Sequence, residues 1–308
     1  MSIFATSTSA FFDRANLDLN SLRSQAEGLQ SQISSGQRLT TSSDDPLAAS
    51  RLRSLQRSDA LAAVDTAAAN RATSDLNLAD SALNQFANYI TRIQELATQA
   101  STGTLSDSQR ASIGSELTQI RKDLVSMANT RDSSGHALFG GDASGDAYDI
   151  DSTTGAARYI GGGSAGELSL GEGQTVTRSL TGPEFLSFKD KAGNTTDLMA
   201  VVKTLGDALQ AGGTAAQTTA NASLDTLRNA LDSVTTAQTV VGSRLSWIDL
   251  TVERQTAMGT ARSSEQADVG GTDTSEAVVK LQELSTVLQA SQASFAKLSS
   301  LSLFSILR

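Results

Sequence analysis

The chain has 308 residues and a formal net charge of −9, with 39% hydrophobic residues but only 4% aromatic residues. The negative charge offers no electrostatic basis for nucleic-acid binding, and the lack of cysteine with a single histidine excludes disulfides, cysteine nucleophiles and multi-histidine metal sites. The N-terminus lacks a basic, apolar leader, and no apolar run approaches 18 residues, so we expect neither a cleaved signal peptide nor membrane insertion.

The first predicted element is a helix over residues 11–34 that presents an apolar stripe. Its apolar residues alternate in steps of three and four, which is the spacing of a coiled-coil seam. The residues of this N-terminal seam are Phe12, Ala15, Leu19, Leu22, Ala26, Leu29 and Ile33. Ser35 and Gly36 end the helix, and we expect the first ten residues to be weakly structured.

Asp44, Asp45 and Pro46 predict the start of a second helix. Asp45 can cap the helix with its carboxylate, and Pro46 fills the first helical position, where its missing N–H has no intrahelical partner. Asp44 adds negative charge at the positive end of the helix dipole. Because no glycine or further proline follows until about residue 100, we predict one helix on the order of 80 Å long.

A third helix, a β-rich insert and a short helix follow. Ser106 and Gln109 predict a capping box, and the short reversal before it indicates an antiparallel neighbour. Residues 141–196 are rich in glycine and serine and contain the β-prone runs AYDI, ARYI, ELSL and TVTRS, so we expect a small antiparallel β unit. The spacing of Leu198 to Leu209 predicts a short helix, which Gly212 and Gly213 end.

Helical spacing then returns and continues to the end of the chain. Leu224 to Val252 form one seam, residues 259–274 resemble a linker, and Asp273 with Glu276 predicts the capping box of a closing helix. The C-terminal seam consists of Leu281, Leu284, Leu288, Ser291, Phe295 and Leu298, and the assembly seam extends to Leu301, Leu303 and Phe304.

This element order predicts a mainly α protein. We expect a long antiparallel helical bundle or coiled coil formed by the N- and C-terminal regions, with a small β-rich insert domain at the tip. The predicted domains are a terminal coiled-coil assembly domain (1–42 and 260–308), a helical rod domain (43–140 and 197–259) and a small β-rich domain (141–196).

The terminal helices also carry apolar residues outside their seams. These residues are Ile3, Phe4, Phe11, Leu17, Val279, Val287, Leu301, Leu303, Phe304, Ile306 and Leu307. One helix pair is too small to cover them all, and burying each leucine, isoleucine or phenylalanine is worth roughly 1.5–3 kcal/mol. They pack either on the chain's own middle helices or against neighbouring subunits, and we favour the second interpretation.

No catalytic, cofactor-binding or metal site is predicted. The run GGGSAG at 161–166 matches a dinucleotide-binding fingerprint, but the residues after it do not open a helix. Ser294 and Lys297 have the spacing of a Ser–Lys pair, yet they lie on the closing helix among seam residues. The acidic residues of the insert lack EF-hand spacing, which favours a solvated loop. These residues are Asp142, Asp146, Asp149 and Asp151.

Four segments resemble the flagellin superfamily, and in particular its hook–filament junction branch. They are SSGQRLTTSSDDPLAAS at 34–50, MANTRDSSGHALFGG at 127–141, VVGSRLSWIDL at 240–250 and QASQASFAKLSSLSLFSILR at 289–308. Pro46 favours the junction branch, because flagellins tend to have Ala-Gly after the aspartate pair. The ending SILR departs from the usual Asp-Tyr-Leu of that branch, and residues 142–196 lie outside the resemblance.

The resemblance implies a structural component of the bacterial flagellum that forms the hook–filament junction, serves motility and is not an enzyme. It further implies type III export, an export chaperone and a place in the extracellular flagellum. The implied partners are other copies of the chain, the preceding hook-associated junction protein and flagellin. Two alternatives stay open, namely flagellin itself, the main filament subunit, and a secreted adhesin that acts through residues 142–196.

Overall fold

The computed structural model describes the backbone of residues 3–190 and 192–306, and the side chains of residues 10–190 and 192–298. Long helices dominate this part of the chain, and short strands occupy the insert. The helices are α1 (Ile3–Ser35), α2 (Pro46–Ala100), α3 (Asp107–Ala128), α4 (Gly182–Leu186), α5 (Leu198–Ala211), α6 (Gly213–Gly270) and α7 (Thr274–Ile306). The strands are β1 (Tyr148–Ile150), β2 (Ala157–Tyr159), β3 (Glu167–Gly171), β4 (Gln174–Thr177), β5 (Ser187–Lys189) and β6 (Thr195–Asp197). The predicted mainly α fold with a small β-rich insert is confirmed.

The chain divides into two compact units. Unit 1 contains the residues up to Ala60 and those from Met258 onward, and unit 2 contains Leu61–Ala257. Helices α2 and α6 therefore contribute residues to both units. The division into three domains at residues 42, 140, 196 and 259 stays a prediction.

Unit 2 packs α2, α3, α5 and α6 around a core of leucine, isoleucine and phenylalanine. Gln238 donates to the Asn84 side chain at 2.9 Å, and Gln217 donates to the Ser101 carbonyl at 2.9 Å, so α2 and α6 run antiparallel. The fully buried side chains include Leu76, Leu83, Phe86, Ile90, Ile93, Leu117, Leu124, Leu205 and Leu209. The apolar periodicity of the sequence therefore marks the faces that meet in this core.

Two glycines let α3 and α5 approach each other closely. A Cβ atom on Gly114 would lie 2.8 Å from the carbonyl oxygen of Gly206, and one on Gly206 would lie 3.4 Å from the carbonyl oxygen of Gly114. Because glycine has no side chain, the two backbones pack directly at this crossing. The capping box predicted at Ser106 and Gln109 is present at the start of α3.

The insert contains three two-stranded antiparallel hairpins. The runs AYDI, ARYI, ELSL and TVTRS supply β1, β2, β3 and β4, as predicted. The third hairpin, β5–β6, was missed, because each of its strands has only three residues. Asp190 is the residue type that indicates a turn between β5 and β6. Its carboxylate accepts the backbone N–H groups of Ala192 at 2.9 Å and Asn194 at 2.8 Å.

The insert packs along the flanks of the long helices. The Gln255 amide on α6 donates to the Leu170 carbonyl of β3, and Asp65 on α2 lies against Gly171. Further into the bundle, Phe86 meets Phe139 and Phe185 edge to face, and Phe139 is tilted against Phe185, with ring centroids 4.8–6.2 Å apart. These contacts tie the hairpins to the helical core of unit 2.

The linker predicted at residues 259–274 is wrong, because α6 continues to Gly270. In unit 1, Arg262 donates to Asp59 at 2.7 Å, and Arg51 pairs with Glu265 at 2.5 Å. The linker was predicted because residues 259–274 have no apolar seam. Polar contacts between α6 and α2 hold this part of the helix in place of such a seam. Gly270 ends the helix where a Cβ atom would lie 2.9 Å from Leu52. No helix in the described residues is long and apolar enough to cross a membrane.

Candidate assembly interface

Helices α1 and α7 pack against each other in unit 1 along the two predicted seams. The rings of Phe12 and Phe295 meet edge to face with centroids 5.4 Å apart. The seam residues of α1 are half-buried, while the residues between them are mostly exposed. A two-helix pair can cover only one side of each side chain, so this seam lacks a fully enclosed core.

The structure places the predicted seam residues as follows. On α1, Phe12, Leu19, Leu22, Leu29 and Ile33 are half-buried. On α7, Leu281, Leu284, Leu288 and Phe295 are half-buried, whereas Leu298 is exposed. The side chains of Leu301, Leu303 and Phe304 lie outside the described residues. Ala277, which sequence reasoning missed, is buried at the start of α7, one step of four before Leu281.

Four apolar residues outside the seams are exposed to solvent, whereas the side chains of Ile3, Phe4, Ile306 and Leu307 lie outside the described residues. Phe11 is 52% exposed and Leu17 is 68% exposed on α1, and Val279 and Val287 are exposed on α7. The interpretation that these four residues pack on the chain's own middle helices is therefore wrong. They leave apolar surface on both helices of the pair, which is typical of a surface that another protein covers.

Shallow grooves run along the flanks of the α1–α7 pair. One groove is bordered by Phe11, Leu19 and Phe295. Another is bordered by Leu29, Leu284 and Val287, with the polar side chains of Gln25, Lys280 and Glu283 around its edge. An apolar centre with a polar rim suits an amphipathic helix from a neighbouring subunit.

The connections at the base of this pair hold each other in place. Gln37 and Gly271 form an antiparallel bridge, the Arg38 N–H donates to the Gly270 carbonyl at 2.8 Å, and the Thr272 N–H donates to the Gly36 carbonyl at 3.0 Å. Gly36 has a φ of +69°, which permits the abrupt exit from α1. Sequence reasoning missed this joint, although a glycine at each connection was the available signal.

Arg38 strengthens the joint through its side chain. Its guanidinium donates to the Val269 carbonyl at 3.0 Å and to the Asp45 carboxylate at 3.3 Å. The same carboxylate accepts the Ala48 N–H at 3.0 Å, so Asp45 caps α2, which begins at Pro46. The Ala48 hydrogen bond and, to a smaller extent, Arg38 lower the pKa of Asp45.

Asp44 lies in the turn that precedes α2. Its carboxylate accepts the backbone N–H groups of Thr41 at 2.8 Å and Thr40 at 3.0 Å, together with both threonine hydroxyls. These hydrogen bonds, those from Thr41 first, lower the pKa of Asp44 to about 2. Asp44 therefore fixes the loop while Asp45 fixes the helix start, so the two carboxylates have separate structural roles.

The other sequence features do not form a reactive centre. The run at 161–166 precedes strand β3, and Gly162 packs against Asp142. Ser294 and Lys297 are exposed on α7. Asp146 pairs with Arg131 at 2.7 Å, and the described residues contain no group of three or more histidine, aspartate or glutamate side chains placed to hold a metal ion.

The sequence is similar to flagellar proteins along most of its length. The profile of the bacterial flagellin N-terminal helical region matches residues 6–144. Flagellar hook-associated protein 3 of Escherichia coli (strain K12) is 28% identical over 92% of this chain and 94% of its own length, and that of Salmonella typhimurium has the same values. Flagellin B of Vibrio cholerae is 27% identical over 56% of this chain and 44% of its own length.

Solved structures share the fold of this chain. The structure of Xanthomonas campestris FlgL has a TM-score of 0.62 at 18% identity and covers 69% of this chain and 99% of its own. Bacillus cereus FlgL has a TM-score of 0.57 at 22% identity and covers 70% of this chain and 99% of its own. The resemblance to flagellin-type proteins that the sequence motifs indicated is confirmed.

Proposed function

We propose that this chain, which resembles the flagellin superfamily and most of all its hook-associated proteins, is a structural subunit of the flagellar hook–filament junction. One observation carries the proposal. The similarity to flagellar hook-associated protein 3 extends over 92% of this chain and 94% of that protein, whereas the similarity to flagellin B stops at 56% and 44%. The same relatives support a structural role rather than an enzymatic one.

The α1–α7 pair supplies the physical means of assembly. A neighbouring subunit that covers Phe11, Leu17, Val279 and Val287 removes their apolar surface from water, at roughly 1.5–3 kcal/mol for each fully buried side chain. The partners that fit this role are other copies of the chain, flagellin, and the hook-associated protein that precedes this chain in the flagellum. The terminal seams are thus assembly elements, and residues 1–42 and 260–308 form the assembly domain.

The proposed location is the extracellular flagellum. A subunit of that structure has to leave the cell as an unfolded or partly folded chain, so we infer export by the flagellar type III apparatus. A chaperone that shields the apolar terminal helices before export belongs to the same proposal. A chain without disulfides can be threaded and refolded with no redox step.

Assembly onto flagellar fragments tests the proposal. The purified chain is added to hook fragments that carry the preceding hook-associated protein, and bound chain is counted by electron microscopy and sedimentation. We expect a short layer that stops by itself and then accepts flagellin. Long homopolymers would instead identify the chain as flagellin, and absence of binding would contradict both assignments.

A substitution on the exposed face of α1 tests the role of the terminal helices. Leu17→Ser should abolish addition to hook fragments while leaving the circular dichroism spectrum unchanged, because Leu17 is 68% exposed in the free chain. Asn20→Ser is the matched control, since Asn20 is an exposed polar residue one turn further along the same helix. Equal binding by the two variants would show that this face takes no part in assembly.

A further inference from the structure

Unit 2 carries two apolar stripes on its surface that are separate from the terminal helices. The α6 stripe consists of Val240, Trp247 and Leu250, and the α2 stripe consists of Leu61, Val64 and Leu78. Steps of three, seven and fourteen place each set on one face of its helix. Leu61 is 62% exposed, Val64 63%, Leu250 58% and Trp247 40%, so their burial is left to another molecule.

One exposed cationic side chain, that of Arg71, lies in the α2 stripe. Arg71 lies seven residues from both Val64 and Leu78, on the same face, and its guanidinium donates to the Ala67 carbonyl of its own helix at 3.3 Å. The acidic residues of this segment are engaged elsewhere, because Asp65 lies against Gly171 and Asp75 accepts from the Ser133 hydroxyl at 3.0 Å. Arg71 is thus the exposed charge between Leu61 and Leu78 among the described residues.

The surroundings of the α6 stripe are negatively charged. The basic residues near it already have acceptors, because Arg244 donates to the Ser179 carbonyl at 2.6 Å and Arg254 pairs with Glu172 at 3.7 Å. Asp249 and Glu253 flank Leu250, are exposed and have no ion-pair partner within the described part of the chain. Both stripes are therefore apolar, and the exposed charges beside them that lack an ion-pair partner in the described residues, Arg71 on α2 and Asp249 with Glu253 on α6, are opposite in sign.

We propose that the α2 stripe of one copy of this chain docks on the α6 stripe of the next copy. The inference rests on the proposed function for the need to self-associate, but it assigns a contact in unit 2 rather than at the terminal helices. Leu61 and Val64 meet Trp247 and Leu250 at the centre, and Arg71 faces the carboxylates of the partner. A docked pair still has one free α6 stripe at one end and one free α2 stripe at the other, so the contact repeats around a ring or along a helix.

Cysteine cross-linking of the full chain tests this contact, because the natural sequence has no cysteine. The double variant Val64→Cys/Leu250→Cys, oxidised with copper phenanthroline, should give a ladder of disulfide-linked multimers. The two single variants should give no disulfide when oxidised alone, and a one-to-one mixture of them should give a dimer and nothing larger. The control pair Ser115→Cys/Thr256→Cys places cysteines at exposed positions on α3 and on the face of α6 opposite the α6 stripe, and it should give no ladder.

A charge reversal and the single tryptophan provide independent readouts. Arg71→Glu should lose the ladder, and Asp249→Arg in the same chain should restore it. Fluorescence of Trp247, the only tryptophan, should shift to shorter wavelength as the chain associates. A ladder equal to that of the control pair, or disulfides between two Val64→Cys copies alone, would overturn the inference.

The outcome is separable from the proposed function. Addition to hook fragments with no Val64–Leu250 ladder would overturn the α2–α6 contact and leave the junction role intact. A ladder without addition to hook fragments would support the contact and contradict the junction role. Loss of both would contradict both.

Discussion

At the scale of single residues, Asp197 is placed where its charge opposes folding. Its carboxylate caps α5 by accepting the Met199 N–H at 2.7 Å. The side chain is half-buried, and this desolvation raises the pKa of Asp197 to about 6. The charge of Asp197 in turn adds to burial in raising the pKa of Tyr148 above its ordinary value. Asp197 thus caps α5, but its negative charge at neutral pH lowers the stability of the folded chain.

We expect Asp197→Asn to stabilise unit 2 at pH 7 and to lose this advantage in acid. The pKa of Asp197 is about 6 in the folded chain, whereas the ordinary value for an aspartate is 3.8, so the native state gains stability as the pH falls from 7 towards 4. The difference between variant and parent should be about 3 kcal/mol or less at pH 7 and should vanish near pH 4. Urea unfolding followed by Trp247 fluorescence measures it. A difference that does not change with pH would contradict the assignment.

Comparison with the variant is necessary because other carboxylates act in the opposite direction. Hydrogen bonds lower the pKa of Asp44, Asp59 and Asp190, so their contributions to stability are lost as the pH falls through their folded pKa values. The stability of the parent chain alone therefore combines effects of both signs. The difference between the curves of the parent and of Asp197→Asn isolates the contribution of Asp197, whose protonation stabilises the fold.

At the scale of secondary-structure elements, the α3–α5 crossing depends on the absence of a side chain. We expect Gly114→Ala to destabilise unit 2 by about 1–3 kcal/mol, because the new Cβ atom would lie 2.8 Å from the Gly206 carbonyl oxygen. Thermal unfolding followed by circular dichroism measures the change. The backbone at Gly206 has to move to relieve the contact, and that movement separates the two helices.

Gly242 provides a matched control on α6. No atom lies within 4 Å of the Cβ position at Gly242, and the residue is inside a continuous helix. Gly242→Ala should therefore stabilise the chain by about 0.5–1 kcal/mol through the higher helix propensity of alanine. Opposite effects of the two substitutions on stability would show that packing determines the effect at Gly114 and helix propensity the effect at Gly242. A stabilising effect at both positions would contradict the close crossing.

At the scale of the whole molecule, we predict different protection from hydrogen exchange in the two units. Unit 2 buries a continuous core, whereas the α1–α7 seam is only half-buried. Backbone N–H groups of α1 and α7 should exchange rapidly in the free chain and at least about tenfold more slowly after addition to hook fragments, because burying even one leucine is worth about 1.5–3 kcal/mol. Those of residues 76–93 should be slow in both states. Equal protection of α1 before and after addition would contradict assembly through the terminal helices.

The sequence alone determined the features that depend on local interactions. Apolar residues in steps of three and four defined the faces of α1, α2, α6 and α7, because a helix brings such residues together wherever it lies. Asp45 with Pro46 and Ser106 with Gln109 marked helix starts, since a cap acts within four residues. The strands of the first two hairpins were likewise recognisable from their composition and turns.

Only the tertiary structure decided the features that depend on residues distant in sequence. The polar pairs of Asp59 and Glu265 with partners on the facing helix extend α6 through the expected linker, and the bridge between Gln37 and Gly271 joins the bases of α1 and α7. The exposure of Leu17 and Trp247 likewise followed from what covers each helix and not from its own pattern. Local sequence shows which face of a helix is apolar, but the free energy of burying that face depends on partners that only the folded chain or its assembly provides.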